Sequence, residues 1–578
     1  MSENKSNRKE KITGAQAVIA SLEAEGVEIV FGYPGGQAIQ MYDALFDSPQ
    51  IRHVLARHEQ GAVHEADGYA RATGGVGVVM VTSGPGATNA VTGIATAYMD
   101  SVPLVVISGQ VPRSVIGTDS FQESDIVGIT MPIVKHSYLV KSADEIARTI
   151  KNAFHIASTG RPGPVLVDVP SDVAAESVVF SYPDKVNIPS YKPTYKGNAK
   201  QVRAAAKLIG ASMKPVLYVG GGVVASGASD AVCRLAREYR IPVVTTLMAK
   251  GAIPASEPLN LGPVGMHGSK YANMALNKSD LIIAVGARFS DRVTGDPEKF
   301  APDASVIHID IDPAEIGKVR AAQVPIVGDA RIVTESLLEV MEAHEIRPDT
   351  DRWVDEVFAW RDRYPILERG ADAYPGEIVP EVALQILSTM LDPHNSIVVT
   401  EVGQNQMWAA QFVDREEPRT FLSSGGLGTM GYGLPAAIGA AIAFPEKQVV
   451  LIAGDGSLQM NSQEMATAAV SGAAVKVVVL NNRALGMVRQ WQKLFYEGRY
   501  SATELEDNPD FVKLAEAYSW HAERVEKPEE VRAAFERMLD SDVPYLIDMR
   551  IGREQSVFPM VAPGASLAEA IGAVGNRS

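Results

Sequence analysis

The sequence predicts an α/β protein with three doubly wound parallel-sheet domains. Short runs of β-branched residues alternate with segments of helical spacing along the 578-residue chain, which is too long for one hydrophobic core. Glycine-rich loops repeatedly follow a predicted strand and open a predicted helix, as in βαβ units. The expected boundaries are a flexible N-terminal tail at 1–11, domains at 12–185, 193–347 and 378–556, a connecting helix at 348–377, and a C-terminal tail at 557–578.

The composition of the chain indicates which partners to expect and in which compartment the protein works. A net charge of −16 argues against nucleic acid and anionic membranes as partners. No apolar run is long enough to span a membrane, and residues 1–11 lack the apolar core of a secretory signal. Cys233 is the only cysteine, so intrachain disulfides are excluded; its helical context predicts a buried structural thiol in a reducing cytoplasm.

The first two domains each carry five predicted strands. They lie at 28–31, 54–56, 76–82, 103–108 and 164–169 in the first domain, and at 215–219, 242–246, 281–285, 306–310 and 325–327 in the second. In the first domain the glycine loops should gather on one rim of the sheet. In the second, Gly220, Gly221 and Gly222 open a helix and Asp310 ends a strand, which favours nucleotide binding. The six-residue glycine fingerprint is absent, so a domain without a ligand remains an alternative.

The third domain contains the most informative unit of the chain. An apolar strand at 448–453 runs into the turn Gly454-Asp455-Gly456-Ser457, and a second apolar strand at 475–480 ends at Asn482. In a parallel βαβ unit both strand ends lie at the same sheet edge, so Asp455 and Asn482 should be neighbours. Glycine backbone, a helix N-terminus and two side-chain oxygens suit a diphosphate with Mg²⁺. The alternative is an ordinary tight turn and strand end.

Several ordered motifs together lead to a resemblance that covers nearly the whole chain. They are RHEQ at 57–60, TSGPGATN at 82–89, FQE at 121–123, GRPGPVLVD at 160–168, RFSDR at 288–292, GDGS at 454–457 and NN at 481–482. This set resembles the thiamine-diphosphate enzymes and, more narrowly, the acetohydroxyacid (acetolactate) synthase catalytic subunits. The resemblance implies that the first domain binds the thiamine pyrimidine, the second binds FAD, and the third binds the diphosphate with Mg²⁺.

The resemblance also implies an activity and partners. Pyruvate would lose CO₂ on thiamine diphosphate, and the two-carbon fragment would condense with pyruvate to 2-acetolactate or with 2-oxobutanoate to 2-aceto-2-hydroxybutanoate. This is the first common step of valine, leucine and isoleucine biosynthesis. The family implies a homodimer or homotetramer with the site between subunits, a small regulatory subunit, and a flavin without a redox step.

Site residues are carried over by matching positions. Glu59 matches the carboxylate beside the pyrimidine nitrogen in this family. Arg292 matches the residue that pairs with the second substrate's carboxylate, and Trp491 matches the ring that packs against the ethyl group of 2-oxobutanoate. The remaining reaction-side residues are Phe121, Gln122 and Met266. The implied thiamine diphosphate contacts are Tyr33, Pro34, Gly35, Pro85, Asn89, Val402, Gly403, Gln404, Gly428, Met430, Gly454, Asp455, Gly456, Ser457, Asn482 and Met487. Asp455, Asn482 and the Ala484 carbonyl are the implied Mg²⁺ ligands. The implied FAD contacts are Gly221, Gly222, Met266, His267, Gly286, Arg288, Arg292, Asp310, Ile311 and Asp329.

Two positions depart from the family pattern, and two rival functions remain. Asn405 replaces a frequent His, and Ser171 replaces a frequent Lys at the mouth of the site. One rival is a pyruvate oxidase or catabolic acetolactate synthase. The flavin-side run 288–295 argues against a flavin-free catabolic enzyme, and Trp491 with Arg292 argues against the oxidase. A non-catalytic nucleotide-binding protein is the other rival, which intact Glu59, Asp455 and Asn482 disfavour.

Overall fold

The computed structural model describes residues 11–366 and 374–572. The first domain is a six-stranded parallel sheet of order β3-β2-β4-β5-β7-β6, beside a small antiparallel pair, β1 and β8. Its elements are β1 Lys11–Thr13, α1 Gly14–Ala24, β2 Ile29–Tyr33, α2 Ile39–Phe46, β3 Arg52–Leu55, α3 Glu59–Thr73, β4 Gly77–Val81, α4 Pro85–Asn89, α5 Val91–Asp100, β5 Leu104–Gln110, α6 Ile126–Thr130, β6 His136–Leu139, α7 Ile146–Ser158, β7 Val165–Pro170, α8 Ser171–Ala175 and β8 Ser177–Val179.

The second domain repeats this design with the strand order β11-β10-β9-β12-β13-β14. Its elements are α9 Ala199–Ala211, β9 Pro215–Val219, α10 Gly221–Ser226, α11 Ser229–Tyr239, β10 Val243–Thr245, β11 Asn260–Pro263, α12 Lys270–Asn277, β12 Leu281–Val285, α13 Asp291–Thr294, β13 Ser305–Asp310, β14 Val324–Val327 and α14 Ala330–Ala343. All strand pairings in this sheet are parallel. Cys233 in α11 is buried, and burial raises the pKa of its thiol to about 11, as expected for a structural cysteine.

The third domain has the strand order β16-β15-β17-β18-β20-β19, again all parallel. The elements from the connecting helix onward are α15 Asp351–Arg363, α16 Pro380–Met390, β15 Ser396–Thr400, α17 Gln404–Phe412, β16 Phe421–Leu422, α18 Gly433–Ala443, β17 Gln448–Gly454, α19 Asp455–Leu458, α20 Met465–Ser471, β18 Lys476–Asn481, α21 Gly486–Phe495, α22 Phe511–Ala517, β19 His521–Val525, α23 Val531–Asp540, β20 Tyr545–Arg550, β21 Met560–Val561 and β22 Ala570–Ile571. The predicted class, three parallel-sheet α/β domains, is confirmed.

The structure differs from the expectations at several boundaries. Lys11, assigned to the N-terminal tail, lies in β1 and pairs with Val179, whereas residues 1–10 lie outside the described residues. The connecting helix covers only Asp351–Arg363, because Pro365 cannot continue a helix; residues 367–373 are also outside the described residues. The first sheet has an additional edge strand, β6, and the second has an additional edge strand, β11; neither was predicted from the sequence. Asn260–Pro263 contains Gly and Pro, and His136–Leu139 is half exposed, so neither has a strong strand pattern.

The strand orders place a switch point in each sheet, where the chain reverses its direction of winding. These points lie between β2 and β4, between β9 and β12, and between β15 and β17. Ligands of open parallel sheets bind beyond the carboxyl ends of the strands at such points. The loops in question contain Tyr33 to Gly35 and Ser83 to Pro85 in the first domain, Gly220 to Gly222 and Gly286 to Arg288 in the second, and Glu401 to Gln404 and Gly454 to Ser457 in the third. The predicted site residues therefore concentrate at three equivalent positions.

The first and third domains are joined through α3 and α18, which cross at very close range. An alanine Cβ at Gly439 would lie 1.9 Å from the Glu65 carbonyl oxygen, and one at Gly68 would lie 2.1 Å from the Ala436 carbonyl oxygen. Alanines on both helices, among them Ala62, Ala66, Ala436 and Ala440, are completely buried in one shared core, so the two domains are packed as a unit. In the described part of the chain, no helix has the length and apolar character needed to cross a membrane.

Candidate active site

The strand ends of β17 and β18 bring Asp455 next to residues 482–484. Gly454 pairs with Leu480 in the parallel ladder, so the two loops leave the sheet side by side. Asp455 begins α19 and is 1 % exposed, and the Asn482 side chain is also buried. Ala484 N–H donates to Asn482 Oδ1 at 3.1 Å, which turns the loop back toward Asp455. A buried carboxylate, an amide oxygen and a main-chain carbonyl are therefore available at one edge.

The electrostatics of this edge suit a divalent cation. Burial raises the pKa of Asp455 to about 6, while donors that include the Asn508 amide and the main-chain N–H of Ala484 act in the opposite direction. Asn508 Nδ2 lies 2.6 Å from Asp455 Oδ2. A buried carboxylate without a cationic partner is costly, and a bound Mg²⁺ would offset this cost. The donor set therefore fits the ion that the sequence predicted.

Small residues keep space open beside Asp455. An alanine Cβ at Gly456 would lie 2.6 Å from Leu485 Cδ2 and 3.8 Å from Met430 Cε, so Gly456 allows Leu485 and Met430 to approach this turn. Gly428 has φ +70°, and a methyl group added to it would have only Val402 Cγ1 within 4 Å, at 3.9 Å. Such a loop can accept a ligand against its backbone.

A single large cavity joins the second and third domains. Its volume is about 1450 Å³, larger than the 300–1,000 Å³ typical of a single small-molecule site, so it has room for more than one ligand. Predicted site residues line it from both domains: Gly221, Gly222, Met266, His267, Gly286, Arg288, Arg292, Asp310, Ile311, Asp329, Val402, Gly403, Gly428, Met487 and Trp491. The first domain contributes Met99 to Ser101, Ser158 and Gly160 to Pro162.

The second-domain wall of this cavity fits a dinucleotide. Gly222 and Gly286 bring two loops into backbone contact, since a methyl on Gly222 would lie 2.7 Å from the Gly286 Cα. Arg288 supplies a cation for a diphosphate, and Asp310 and Asp329 end or follow strands where a ribose could bind. Burial raises the pKa of Asp310 to about 6. The residues expected to contact FAD thus line one side of the cavity.

Three predicted substrate residues meet at the cavity, although they are far apart in sequence. Met266 N–H donates to the Arg292 carbonyl at 2.8 Å, so the two residues are adjacent. Trp491 lies on α21 with its ring 5.5 Å from that of Phe495 and is half-buried. A cation and a thioether from the second domain and an indole from the third domain line the same cavity. Such groups can recognise a small 2-keto acid through its carboxylate and its alkyl group.

The first-domain residues form a separate rim. Glu59 begins α3 and is 9 % exposed, and its Oε2 accepts a 2.9 Å hydrogen bond from Asn89 Nδ2. A methyl on Gly86 would lie 3.2 Å from Glu59 Oε1, so the carboxylate lies directly over this glycine loop. Tyr33, Pro34, Gly35, Pro85, Phe121 and Gln122 complete the rim. None of these eight predicted residues is among the described residues that line the cavity.

The loop that carries Phe121 and Gln122 is fixed by backbone geometry. Gln122 has φ 60°, and its main chain lies against Gly84, where an added methyl would be 2.7 Å from the Gln122 carbonyl oxygen. Phe121 is 85 % exposed.

The two departures from the family pattern have clear locations. Asn405 is buried, and its Nδ2 donates to the Ile452 carbonyl at 3.0 Å, so it joins α17 to β17. Ser171 begins α8 after β7. It is not among the described residues that line the cavity.

Sequence reasoning missed several residues that organise these edges. Glu401 is completely buried and accepts hydrogen bonds from Gly431, Gly433 and Leu434 N–H, which fixes the glycine loop before α18. Burial raises the pKa of Glu401 to about 7. Asn508 and Gln490 were missed too. Their partners are distant in sequence and no local motif marks them; only the position of Glu401 directly after β15 was a usable signal.

Comparisons with known proteins agree with this arrangement. Three family models match in order: "Thiamine pyrophosphate enzyme, N-terminal TPP binding domain" at residues 12–129, the central domain at 202–337, and the C-terminal TPP binding domain at 401–549. The chain is 51% identical over 583 residues to the acetolactate synthase large subunit of Corynebacterium glutamicum, with 100% of this chain and 92% of that protein covered.

Two further relatives extend this similarity across distant organisms. An acetolactate synthase of Mycobacterium bovis is 53% identical over 575 residues, covering 98% of this chain and 93% of that protein. A probable acetolactate synthase large subunit of Methanocaldococcus jannaschii is 50% identical over 562 residues, covering 96% and 94%. Together with the three sheets and their glycine loops, these full-length matches show that the chain belongs to the acetolactate synthase large-subunit family of thiamine pyrophosphate enzymes.

Proposed function

We propose that the chain joins pyruvate, after loss of CO₂, to a second 2-keto acid, using thiamine diphosphate and Mg²⁺ with a non-redox FAD. The products would be 2-acetolactate from pyruvate and 2-aceto-2-hydroxybutanoate from 2-oxobutanoate, which begin branched-chain amino acid biosynthesis. The observation that carries this proposal is the cavity that combines Arg292, Met266 and Trp491 with the glycine loops of both the second and third domains.

The third-domain edge would hold the diphosphate and its metal. Asp455, Asn482 and the Ala484 carbonyl would bind Mg²⁺, and the backbone of Gly454 to Ser457 would lie against the phosphates. Met430, near Gly456, would support the thiazolium ring from one side. When bound, thiamine diphosphate supplies the electron sink for the loss of CO₂ from a 2-keto acid. The chain itself orients the reactants and controls protons.

Glu59 would hold the proton that the pyrimidine ring needs. Its carboxylate is almost buried, faces Gly86, and is oriented by Asn89 Nδ2. One oxygen is thus occupied by an amide donor, and the other is available to a ring nitrogen. A buried carboxylate held in one orientation can be kept within hydrogen-bond reach of the ring nitrogen, so this setting supports the role.

Arg292 and Trp491 would select the second substrate. A guanidinium can hold a carboxylate through two parallel hydrogen bonds, which a lysine cannot reproduce. The Trp491 ring would contact the extra methylene of 2-oxobutanoate. One methylene in an apolar pocket is worth about 1–3 kcal/mol, which corresponds to a preference of about 10-fold or more.

A second copy of the chain would complete the site. Among the described residues that line the cavity of one chain are neither Glu59 nor Asp455 and Asn482, and Phe121 stands exposed on the Glu59 rim. If the rim of one subunit covers the third-domain edge of its partner, both halves of the thiamine site are used and the exposed aromatic is buried. A homodimer or a homotetramer, with a separate small regulatory subunit in the cytoplasm, is the assembly we propose.

A competition assay tests this proposal. Pyruvate and 2-oxobutanoate are supplied together with thiamine diphosphate, Mg²⁺ and FAD under anaerobic conditions, and both acetohydroxy acids are quantified. Preferential formation of 2-aceto-2-hydroxybutanoate is the expected result. Acetate with reduction of the flavin would identify an oxidase instead. Absence of CO₂ release from pyruvate would identify a non-catalytic protein.

A further inference from the structure

We propose that Gln490 is a positioning residue for Mg²⁺ binding and that it acts through Gln404 on Asn482. The proposal rests on the proposed function, because it takes Asn482 as a ligand of Mg²⁺. Gln490 lies on α21, one residue before Trp491, and is 2 % exposed. Its side chain belongs to a row of buried amide side chains that also contains Gln404 and Asn482.

The amides form an unbroken chain of hydrogen bonds. Asn482 Nδ2 donates to Gln404 Oε1 at 3.0 Å, and Gln404 Nε2 donates to Gln490 Oε1 at 2.9 Å. Gln490 then meets the main chain of Val557, donating to its carbonyl at 3.0 Å and accepting from its N–H at 2.9 Å. All of these side chains are buried, so water does not compete for the hydrogen bonds.

The direction of this chain is set at Val557. An amide side chain can be turned over to exchange its oxygen and nitrogen, but a main-chain N–H and C=O cannot exchange roles. Val557 therefore fixes which end of Gln490 is the acceptor. Gln490 Oε1 and the Gln555 carbonyl, to which Gln404 Nε2 also donates at 3.2 Å, together require Gln404 to present its nitrogen on this side. Gln404 Oε1 is then left as an acceptor for Asn482 Nδ2. The Asn482 oxygen is thereby kept on the Ala484 side, where it accepts from Ala484 N–H.

The surrounding backbone shows that this arrangement is closely fitted. An alanine Cβ at Gly486 would lie 2.1 Å from Gln404 Oε1 and 2.6 Å from Asn482 Nδ2, so only glycine lets α21 begin at this point. The segment that contains Val557 is also held at the cavity, since Val561 N–H donates to the Met266 carbonyl at 2.8 Å. The C-terminal segment thus has contacts with both the flavin side and the metal side of the site.

Two substitutions of Gln490 separate a positioning role from a purely structural role. Gln490→Met keeps the length but removes both the acceptor and the donor. Gln490→Glu keeps the acceptors for Gln404 and Val557 N–H, replaces the donor to the Val557 carbonyl with an oxygen, and adds a negative charge. Burying a carboxylate costs more stability than burying a thioether, so Gln490→Glu should be the less stable variant. The affinity for Mg²⁺ should nevertheless be lower in Gln490→Met than in Gln490→Glu.

The experiment titrates MgCl₂ into the full-length protein at saturating thiamine diphosphate and follows tryptophan fluorescence, with melting temperatures measured in parallel. Loss of a residue that orients a metal ligand typically lowers metal affinity by 10–100-fold. We expect the Mg²⁺ dissociation constant to be about 10-fold larger for Gln490→Met and to change by less than about 3-fold for Gln490→Glu. Gln448→Met is the matched control, because Gln448 lies at the opposite end of β17 and donates to the Leu539 carbonyl.

The inference would be overturned if Gln490→Met had an unchanged Mg²⁺ dissociation constant. It would also be overturned if the less stable variant, Gln490→Glu, bound Mg²⁺ more weakly than Gln490→Met. Hydrogen exchange on the unmodified protein gives a second test that does not depend on a variant folding. The Val557 N–H should exchange about 10-fold more slowly once Mg²⁺ and thiamine diphosphate are added, and unchanged exchange would also overturn it. If the unmodified protein binds no thiamine diphosphate with Mg²⁺, the proposed function fails and this inference fails with it.

Discussion

Replacing Gly439 with alanine would test how the first and third domains are held together. The new Cβ would lie 1.9 Å from the Glu65 carbonyl oxygen, 2.7 Å from the Glu65 carbonyl carbon and 3.0 Å from Tyr69 N. These atoms belong to the backbone of α3 and cannot turn away as a side chain could. Contacts of about 3.4 Å require α18 and α3 to separate by roughly 1.5 Å, in keeping with the close packing of protein interiors.

The cost follows from what this separation disturbs. Overpacking of a close-packed core costs about 1–3 kcal/mol. The hydrogen bond from Tyr432 OH to Asp67 Oδ1, 2.8 Å long, crosses the same interface and would lengthen. A weakened buried hydrogen bond adds about 1 kcal/mol. The expected loss is therefore about 2–4 kcal/mol, and at about 2–4 °C per kcal/mol the apparent melting temperature should fall by about 4–16 °C.

Differential scanning calorimetry of the full-length protein measures this effect. Gly75→Ala is a suitable control, because Gly75 follows α3 and a methyl added there would meet only Thr73 Oγ1, at 3.4 Å. The control should melt within about 1 °C of the unmodified protein, as expected for an uncrowded surface change. If Gly439→Ala had the same melting temperature as Gly75→Ala, the close crossing of α3 and α18 would be refuted.

Three further predictions follow from the site and its surroundings. Glu59→Gln should lower turnover by on the order of 10²-fold with an unchanged circular dichroism spectrum; near-normal turnover would remove Glu59 from its proton role. Trp491→Ala should reduce the preference for 2-oxobutanoate over pyruvate by about 10-fold in the competition assay, and an unchanged product ratio would assign that preference elsewhere. Burial raises the pKa of Asp168 to about 7, so its contribution to stability is full below its ordinary pKa of 3.8 and is lost as the pH rises through 7. The stability advantage of the unmodified protein over Asp168→Asn, measured by urea unfolding, should therefore shrink by about 2 kcal/mol between pH 5 and pH 8; a constant difference would contradict this.

The fold class was predictable because it depends on local signals. Each central strand is an apolar run, and each switch-point loop combines glycine with a following helix, so strand and loop can be read from neighbouring residues. The strands that were missed include edge strands and one internal strand, β20, which pairs with both β18 and β19. His521–Val525 is an edge strand with charged and exposed residues, and Phe421–Leu422 has only two residues. Neither has a periodicity long enough to be recognised.

The candidate site was predictable only in part, for a related reason. Asp455 sits in a glycine-rich turn whose chemistry is visible in the sequence, whereas Glu59 was assigned by family resemblance through the motif RHEQ at 57–60. Glu401, Asn508 and Gln490 have no such motif, because their roles depend on partners brought near by the fold. Gln490 and Val557 are 67 positions apart and are joined only by the packing of α21 against the C-terminal segment. Their function lies in tertiary contacts that no local pattern records.

The shared switch-point geometry also explains why two halves of one site lie on different surfaces of a chain. Each sheet presents its ligand edge at the carboxyl ends of its strands, and the α3 and α18 crossing fixes how the first and third sheets face one another. With that crossing closely packed, the Glu59 rim cannot turn toward the cavity of its own chain without breaking a completely buried core. Under the proposed function, the exposed Phe121 and the cavity beside Gly428 would be complementary surfaces of separate subunits. The same glycines that stabilise the monomer would thereby require a second copy for activity.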